Sequence, residues 1–147
     1  MNQEKPFRIL LADDDDDDTF LFQEALEQVP LNTELRIADN GMKLMDLLYS
    51  SEEAPDLIFL DMNMPVKNGL ECLEEIRNSK KFGDTPVVIL STSVAKYLWE
   101  SAYKGGANLY VQKPNSFIAL VDILQKCLSQ KSELTRQTAV EQFLLTT

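Results

Sequence analysis

The chain has 147 residues, 44% of them apolar, which suits one domain with a real core. Its formal charge is −10, and six of the 24 acidic residues lie in one run, Asp13 to Asp18, so the acidity is local and offers no basic stripe for nucleic acid. With no histidine, it can hold no Ser-His-Asp triad, no His-based zinc site and no phosphohistidine of its own.

Apolar stretches such as Leu57 to Leu60 and Val87 to Leu90 are far too short to span a bilayer, and the N-terminus has no secretory apolar region. Cys72 and Cys127 are far apart and form no metal motif. These features predict a reduced, cytoplasmic, soluble protein.

In chain order, Phe7 to Ala12 is a short, nearly continuous apolar run, the pattern of a strand buried on both faces. Asp17 to Gln28 follows as a helix, with Phe20, Leu21, Ala25 and Leu26 at helical spacing. Thr33 to Ala38 reads as a strand, and Asn40 to Ser50 as a helix with Met42, Met45, Leu48 and Tyr49 on one side. Asp56 to Leu60 is a third strand, and Gly69 to Asn78 a helix with Leu70, Leu73 and Ile76 inward. Pro86 to Leu90 is a fourth strand. The helix from Ala95 to Lys104 stops at Gly105-Gly106. Leu109 to Gln112 is a fifth strand. Ser116 to Leu128 is a helix with Phe117, Leu120, Val121, Leu124 and Leu128 in register.

This alternation predicts an α/β fold of (βα)5 type, a doubly wound parallel sheet with right-handed crossovers. Such sheets bind ligands beyond the carboxyl ends of their strands. Those ends carry Asp13-Asp14, Asp61, Ser91 and Lys113-Pro114. Two carboxylates 4 Å apart repel by about 4 kcal/mol at an effective dielectric of 20. Three therefore call for a cation, and hard oxygen ligands favour Mg²⁺. A metal, an ammonium, a hydroxyl and a nucleophilic carboxylate together form a set suited to handling phosphate.

The sequence resembles the receiver domain of two-component response regulators. The resemblance rests on Ile9-Leu10-Leu11-Ala12-Asp13-Asp14, Pro55-Asp56-Leu57-Ile58-Phe59-Leu60-Asp61-Met62-Asn63-Met64-Pro65 with Gly69, Thr85-Pro86-Val87-Val88-Ile89-Leu90-Ser91, and Lys113-Pro114. It covers residues 6–130 and implies the flavodoxin-like strand order 2-1-3-4-5. It also implies roles. Asp61 is the phosphoacceptor. Asp13, Asp14, Asp61 and the backbone carbonyl of Asn63 bind Mg²⁺. Ser91 and Lys113 contact the phosphoryl group, and Ser91 and Tyr110 form a switch. Asn63 and Ser93 occupy positions that tune phosphate lifetime, and the Lys113–Pro114 bond is cis. The wholly acidic run after Asp14 departs from the family pattern, and Asp15 to Asp18 are read as caps for the next helix.

The implied function is acceptance of a phosphoryl group from a sensor kinase's phosphohistidine, then altered binding to a downstream target or phosphate relay. On this reading the domain modifies only itself and is not a turnover enzyme. The chain is similar to single-domain receivers that accompany bacterial phytochromes. Residues 131–147 are expected to form a helical or frayed extension with no output domain. A stripe of Val140, Phe143 and Leu144 suggests docking on a neighbour, as in a homodimer. Two rival functions are an unphosphorylated interaction module and a haloacid-dehalogenase-type phosphatase built on Asp15-x-Asp17-x-Thr19. An EF-hand on Asp13, Asp15, Asp17 and Glu24 lacks its glycine, since Asp18 stands there.

Overall fold

The computed structural model describes residues 5–130 and 139–146. Strands β1 (Phe7–Ala12), β2 (Thr33–Ala38), β3 (Leu57–Asp61), β4 (Val87–Ser91) and β5 (Leu109–Gln112) alternate with helices α1 (Asp16–Glu27), α2 (Gly41–Ser50), α3 (Gly69–Arg77), α4 (Lys96–Lys104) and α5 (Phe117–Ser129). After them come one turn of helix, α6 (Val140–Phe143), and a two-residue strand, β6 (Leu144–Leu145). The sheet is parallel throughout, in the order β2-β1-β3-β4-β5-β6. The five expected strands thus stand in the order 2-1-3-4-5.

The central strands β3 and β4 are buried along their whole length. Successive side chains point to opposite faces of a strand, so the sheet feeds two cores. One contains Leu10, Ile58, Leu60 and Ile89 beneath α2, α3 and α4. The other contains Ile9, Leu11, Phe59 and Val88 beneath α1 and α5. Each large aliphatic side chain so buried contributes about 1.5–3 kcal/mol. Side-chain caps start four of the helices: Asp15, Asn40, Asn68 in a reciprocal pair with Glu71, and Ser116. Cys72 and Cys127 are free and buried in different cores, on opposite sides of the sheet. Burial holds both thiols protonated, pushing Cys72 up to about 11 and Cys127 to about 12. No helix among the described residues is long and apolar enough to cross a membrane.

Three expectations need correction. Helix α1 turns Phe22, Ala25 and Leu26 inward, while Phe20 is 60% exposed and Leu21 is exposed beside it. The stripe is set by 22, 25, 26 and 29, the helical spacing that ends on buried Val29. Phe117, Met42 and Tyr49 are likewise exposed at the edges of their apolar faces. All peptide bonds among the described residues are trans, Lys113–Pro114 included. The sheet also has a sixth strand. Val140 to Leu145 packs on its own chain, with Leu144 and Leu145 paired to Tyr110 and Val111. The part of the C-terminal extension at residues 131–138 lies outside the described residues.

Candidate functional site

Each site residue is placed by a strand end. Asp13 follows β1, its amide donating to the Ala38 carbonyl at 3.0 Å. Asp61 and Ser91 are the last residues of β3 and β4. Lys113 follows β5, and its amide donates to the Ser91 carbonyl at 2.7 Å, tying two neighbouring strand ends together. Gly69 lets α3 begin close against the third. A Cβ there would lie 2.5 Å from the Asp61 carbonyl oxygen, closer than real Cβ contacts allow.

Carboxylate oxygens of Asp13, Asp14 and Asp61 lie within 4.8 Å of one another, an arrangement that fits a metal ion. Asp13 and Asp61 are buried, at 3% and 5% exposure, whereas Asp14 is open to solvent. The donors are all hard oxygens, the set that Mg²⁺ and similar divalent cations take. Asn63 stands two residues beyond Asp61 and directs its amide at Asp61 Oδ1, with N···O 3.4 Å.

The counter-charge is Lys113. Its Nζ lies 3.0 Å from Asp13 Oδ2, 2.9 Å from Asp18 Oδ2 and 3.5 Å from Asp61 Oδ1. Burial alone would lower the lysine's pKa. The hydrogen bond to Asp18 and the charges of Asp61 and Asp13 outweigh it, and the pKa rises. Asp61 moves the other way from an ordinary ion-paired acid. Burial pushes it up to about 6; Lys113 opposes the shift and Asp13 adds to it. At neutral pH it is still mostly carboxylate, so it keeps a nucleophilic oxygen.

Ser91 is buried, and its Oγ accepts from the Ser93 amide at 3.1 Å. Tyr110 does not join the acids. It is fully buried, its hydroxyl donates to the Ser93 carbonyl at 2.8 Å, and its ring lies 6.4 Å from Phe143. Ser93, in the loop after Ser91, therefore bonds to both the Ser91 hydroxyl and the Tyr110 hydroxyl. Because β6 pairs with β5, Tyr110 is not on an edge strand.

The rival motifs are not assembled. The Asp15 carboxylate caps α1, accepting from the amides of Asp17 and Asp18. Asp17 and Glu24 sit on the same continuous helix rather than in a cation-binding loop.

Asp18, grouped with the helix caps on sequence grounds, is instead a direct partner of Lys113. The available signal was its place four residues before Phe22, which puts it on the inward side of α1.

Residues 9–125 match the family described as the response regulator receiver domain. The chain belongs to that family. Response regulator Rcp1 of Synechocystis sp. is 34% identical over 125 residues, covering 82% of this chain and 85% of that protein. Among solved structures, the phosphorylated cyanobacterial phytochrome response regulator RcpA superimposes with a TM-score of 0.80 at 32% identity. That match covers 87% of this chain and 95% of that one. The Mn²⁺-bound form of Rcp1 gives 0.78 at 32% identity, covering 91% and 100%. This receiver domain is thus a two-component signalling module with the flavodoxin-like fold of its relatives.

Proposed function

We propose that the Asp61 carboxylate accepts a phosphoryl group from the phosphohistidine of a sensor kinase or phosphotransfer protein. The observation that carries this reading is the Lys113 ammonium 3.5 Å from Asp61 Oδ1, beside the acid pair Asp13 and Asp14. An Asp61 oxygen forms the new O–P bond as the donor's N–P bond breaks, and the histidine leaves with the electron pair. Lys113 offsets the charge gathered on the transferring group. The Ser91 hydroxyl then exchanges its bond from the Ser93 amide for one to a phosphoryl oxygen, which moves the loop held by Tyr110.

Asp13, Asp14, Asp61 and the Asn63 carbonyl would hold Mg²⁺, which supplies charge compensation for the crowded oxygens. A relative crystallised in phosphorylated form and another with Mn²⁺ bound support both parts of this reading. The domain modifies itself, is reset by hydrolysis of the acyl phosphate and works in the cytoplasm. Its output is binding of a downstream protein or a second copy through the α4 and α5 side of the domain, where β6 covers the edge of β5.

Acetyl phosphate with MgCl₂ should add the mass of one phosphoryl group to the protein, mapped to Asp61. Asp61→Asn should remain unlabelled. No label on the wild type would favour an unphosphorylated interaction module, and catalytic turnover of a small phosphomonoester would favour a phosphatase.

A further inference from the structure

We propose that Asp18 is a positioning residue for phosphotransfer at Asp61, acting by holding the Lys113 ammonium beside the acceptor. The inference rests on the proposed phosphorylation of Asp61 and adds a residue to it.

A lysine ammonium ends a flexible four-carbon stem and carries three donors. Here it is 17% exposed and lies among three carboxylates. Asp61 is the reacting group, at a loose 3.5 Å. Asp13 belongs to the proposed metal set, so its oxygens are shared when a cation is bound. Among the described residues, Asp18, at 2.9 Å, is the one carboxylate partner that neither reacts nor belongs to that set.

Asp18 is also well placed as an anchor. It lies in the first turn of α1, where its amide donates to the N-cap carboxylate of Asp15 at 3.1 Å. Four residues on, Phe22 fixes the same helical face in the core against Phe59, with ring centroids 5.0 Å apart. Asp18 and Lys113 line one cleft of about 260 Å³, together with Phe22 and Leu90. One ammonium N–H is thus spent on Asp18 and one on Asp13, which leaves the third turned to Asp61 at 3.5 Å, where charge develops on the phosphoryl oxygens. Without Asp18, the stem regains rotameric freedom. Small misplacements of a catalytic group can cost up to about a hundredfold in rate.

Simple electrostatics makes the opposite forecast. Asp18 adds negative charge near an anionic donor, so its removal would then speed labelling. The sign of the effect decides between the two.

The test is the rate of Asp61 labelling by acetyl phosphate and Mg²⁺, followed by intact mass across a range of acetyl phosphate concentrations. Asp18→Ala should label roughly tenfold more slowly at saturation, with little change in the half-saturating concentration. Asp18→Glu should recover part of the rate. Asp17→Ala removes a neighbouring exposed charge that does not touch the lysine, and should label like wild type. In a Lys113→Ala background, Asp18→Ala should cause no further slowing, because its partner is gone. A general structural role would slow that double variant further. The proposal is overturned if Asp18→Ala labels as fast as wild type or faster, or if the double variant is slower than Lys113→Ala. A wild type that takes no label at Asp61 overturns the underlying phosphorylation reading instead.

Discussion

At Asp61 two demands oppose each other. The proposed phosphotransfer needs an ionised carboxylate, yet Asp61 is buried beside Asp13 and its pKa rises to about 6 from the usual 3.8. Raising a folded-state acid's pKa means that its ionisation costs stability. The cost is absent below about pH 4, grows between pH 4 and 6 and is complete above that window. In EDTA, Asp61→Asn should therefore melt a few degrees higher than wild type at pH 7, on the order of 1–3 kcal/mol. The difference should vanish as the pH approaches 4; equal melting temperatures at pH 7 would show that Lys113 compensates Asp61 fully. A second strained position is Val66. It is 78% exposed with φ +70°, and the Lys67 amide donates across it to the Pro65 carbonyl at 2.7 Å. A β-branched residue rarely adopts that backbone. Val66→Gly relieves the strain with little loss of burial, while adding freedom to the unfolded chain. A net gain of about 1 kcal/mol should appear as a raised urea midpoint with unchanged m-value.

The elements differ in how plainly their residues announce them. Strands β1, β3 and β4 are legible as continuous apolar runs, interrupted only by Arg8 near the start of β1, because both of their faces are covered. Helix faces are harder to read. In α1 the apolar residues at 20, 21, 22, 25 and 26 wrap most of the way round, and only packing selects 22, 25 and 26. The same ambiguity hid Asp18 on the inward side, within a run of like residues where no position stands out. Strand β6 has two residues and therefore no period to detect. Its position depends on Phe143, which is fully buried and packs edge-on against Tyr103 at 5.0 Å. Phe143→Ala should destabilise the docked segment by about 2–4 kcal/mol, less than a central core deletion because a terminal segment can detach locally. Hydrogen exchange at Leu144 and Leu145 should accelerate greatly, while the amides of β1 and β3 keep their protection. Uniform loss of protection across the sheet would mean that β6 is part of the global folding unit.

For the whole molecule, a net charge of −10 is concentrated where the strands end, and the half-buried Lys113 answers three carboxylates. The alternating order of the chain made that convergence legible, since parallel strands with crossover helices bring all their carboxyl ends to one edge. What the order could not supply was the share each acid takes, because Asp13 to Asp18 are chemically identical and only the start of α1 separates them. Asp13 and Asp14 precede the helix and face Asp61, Asp15 caps it, Asp17 points outward and Asp18 turns in to Lys113. A cation bound by the folded form alone should therefore stabilise the entire domain. At ten times Kd the gain is about 1.4 kcal/mol, a rise of a few degrees in melting temperature for a domain of this size. Mg²⁺ should produce that rise at constant ionic strength, with NaCl as the balance, because general screening of surface charge is then held fixed. Asp14→Asn should blunt the rise by removing a ligand. Asp61→Asn should start higher and gain less. Asp17→Asn should respond like wild type, since its carboxylate lies outside the cluster. If Asp17→Asn lost the response while Asp14→Asn and Asp61→Asn kept it, the cation would be binding the outward part of the acidic run and not the strand ends.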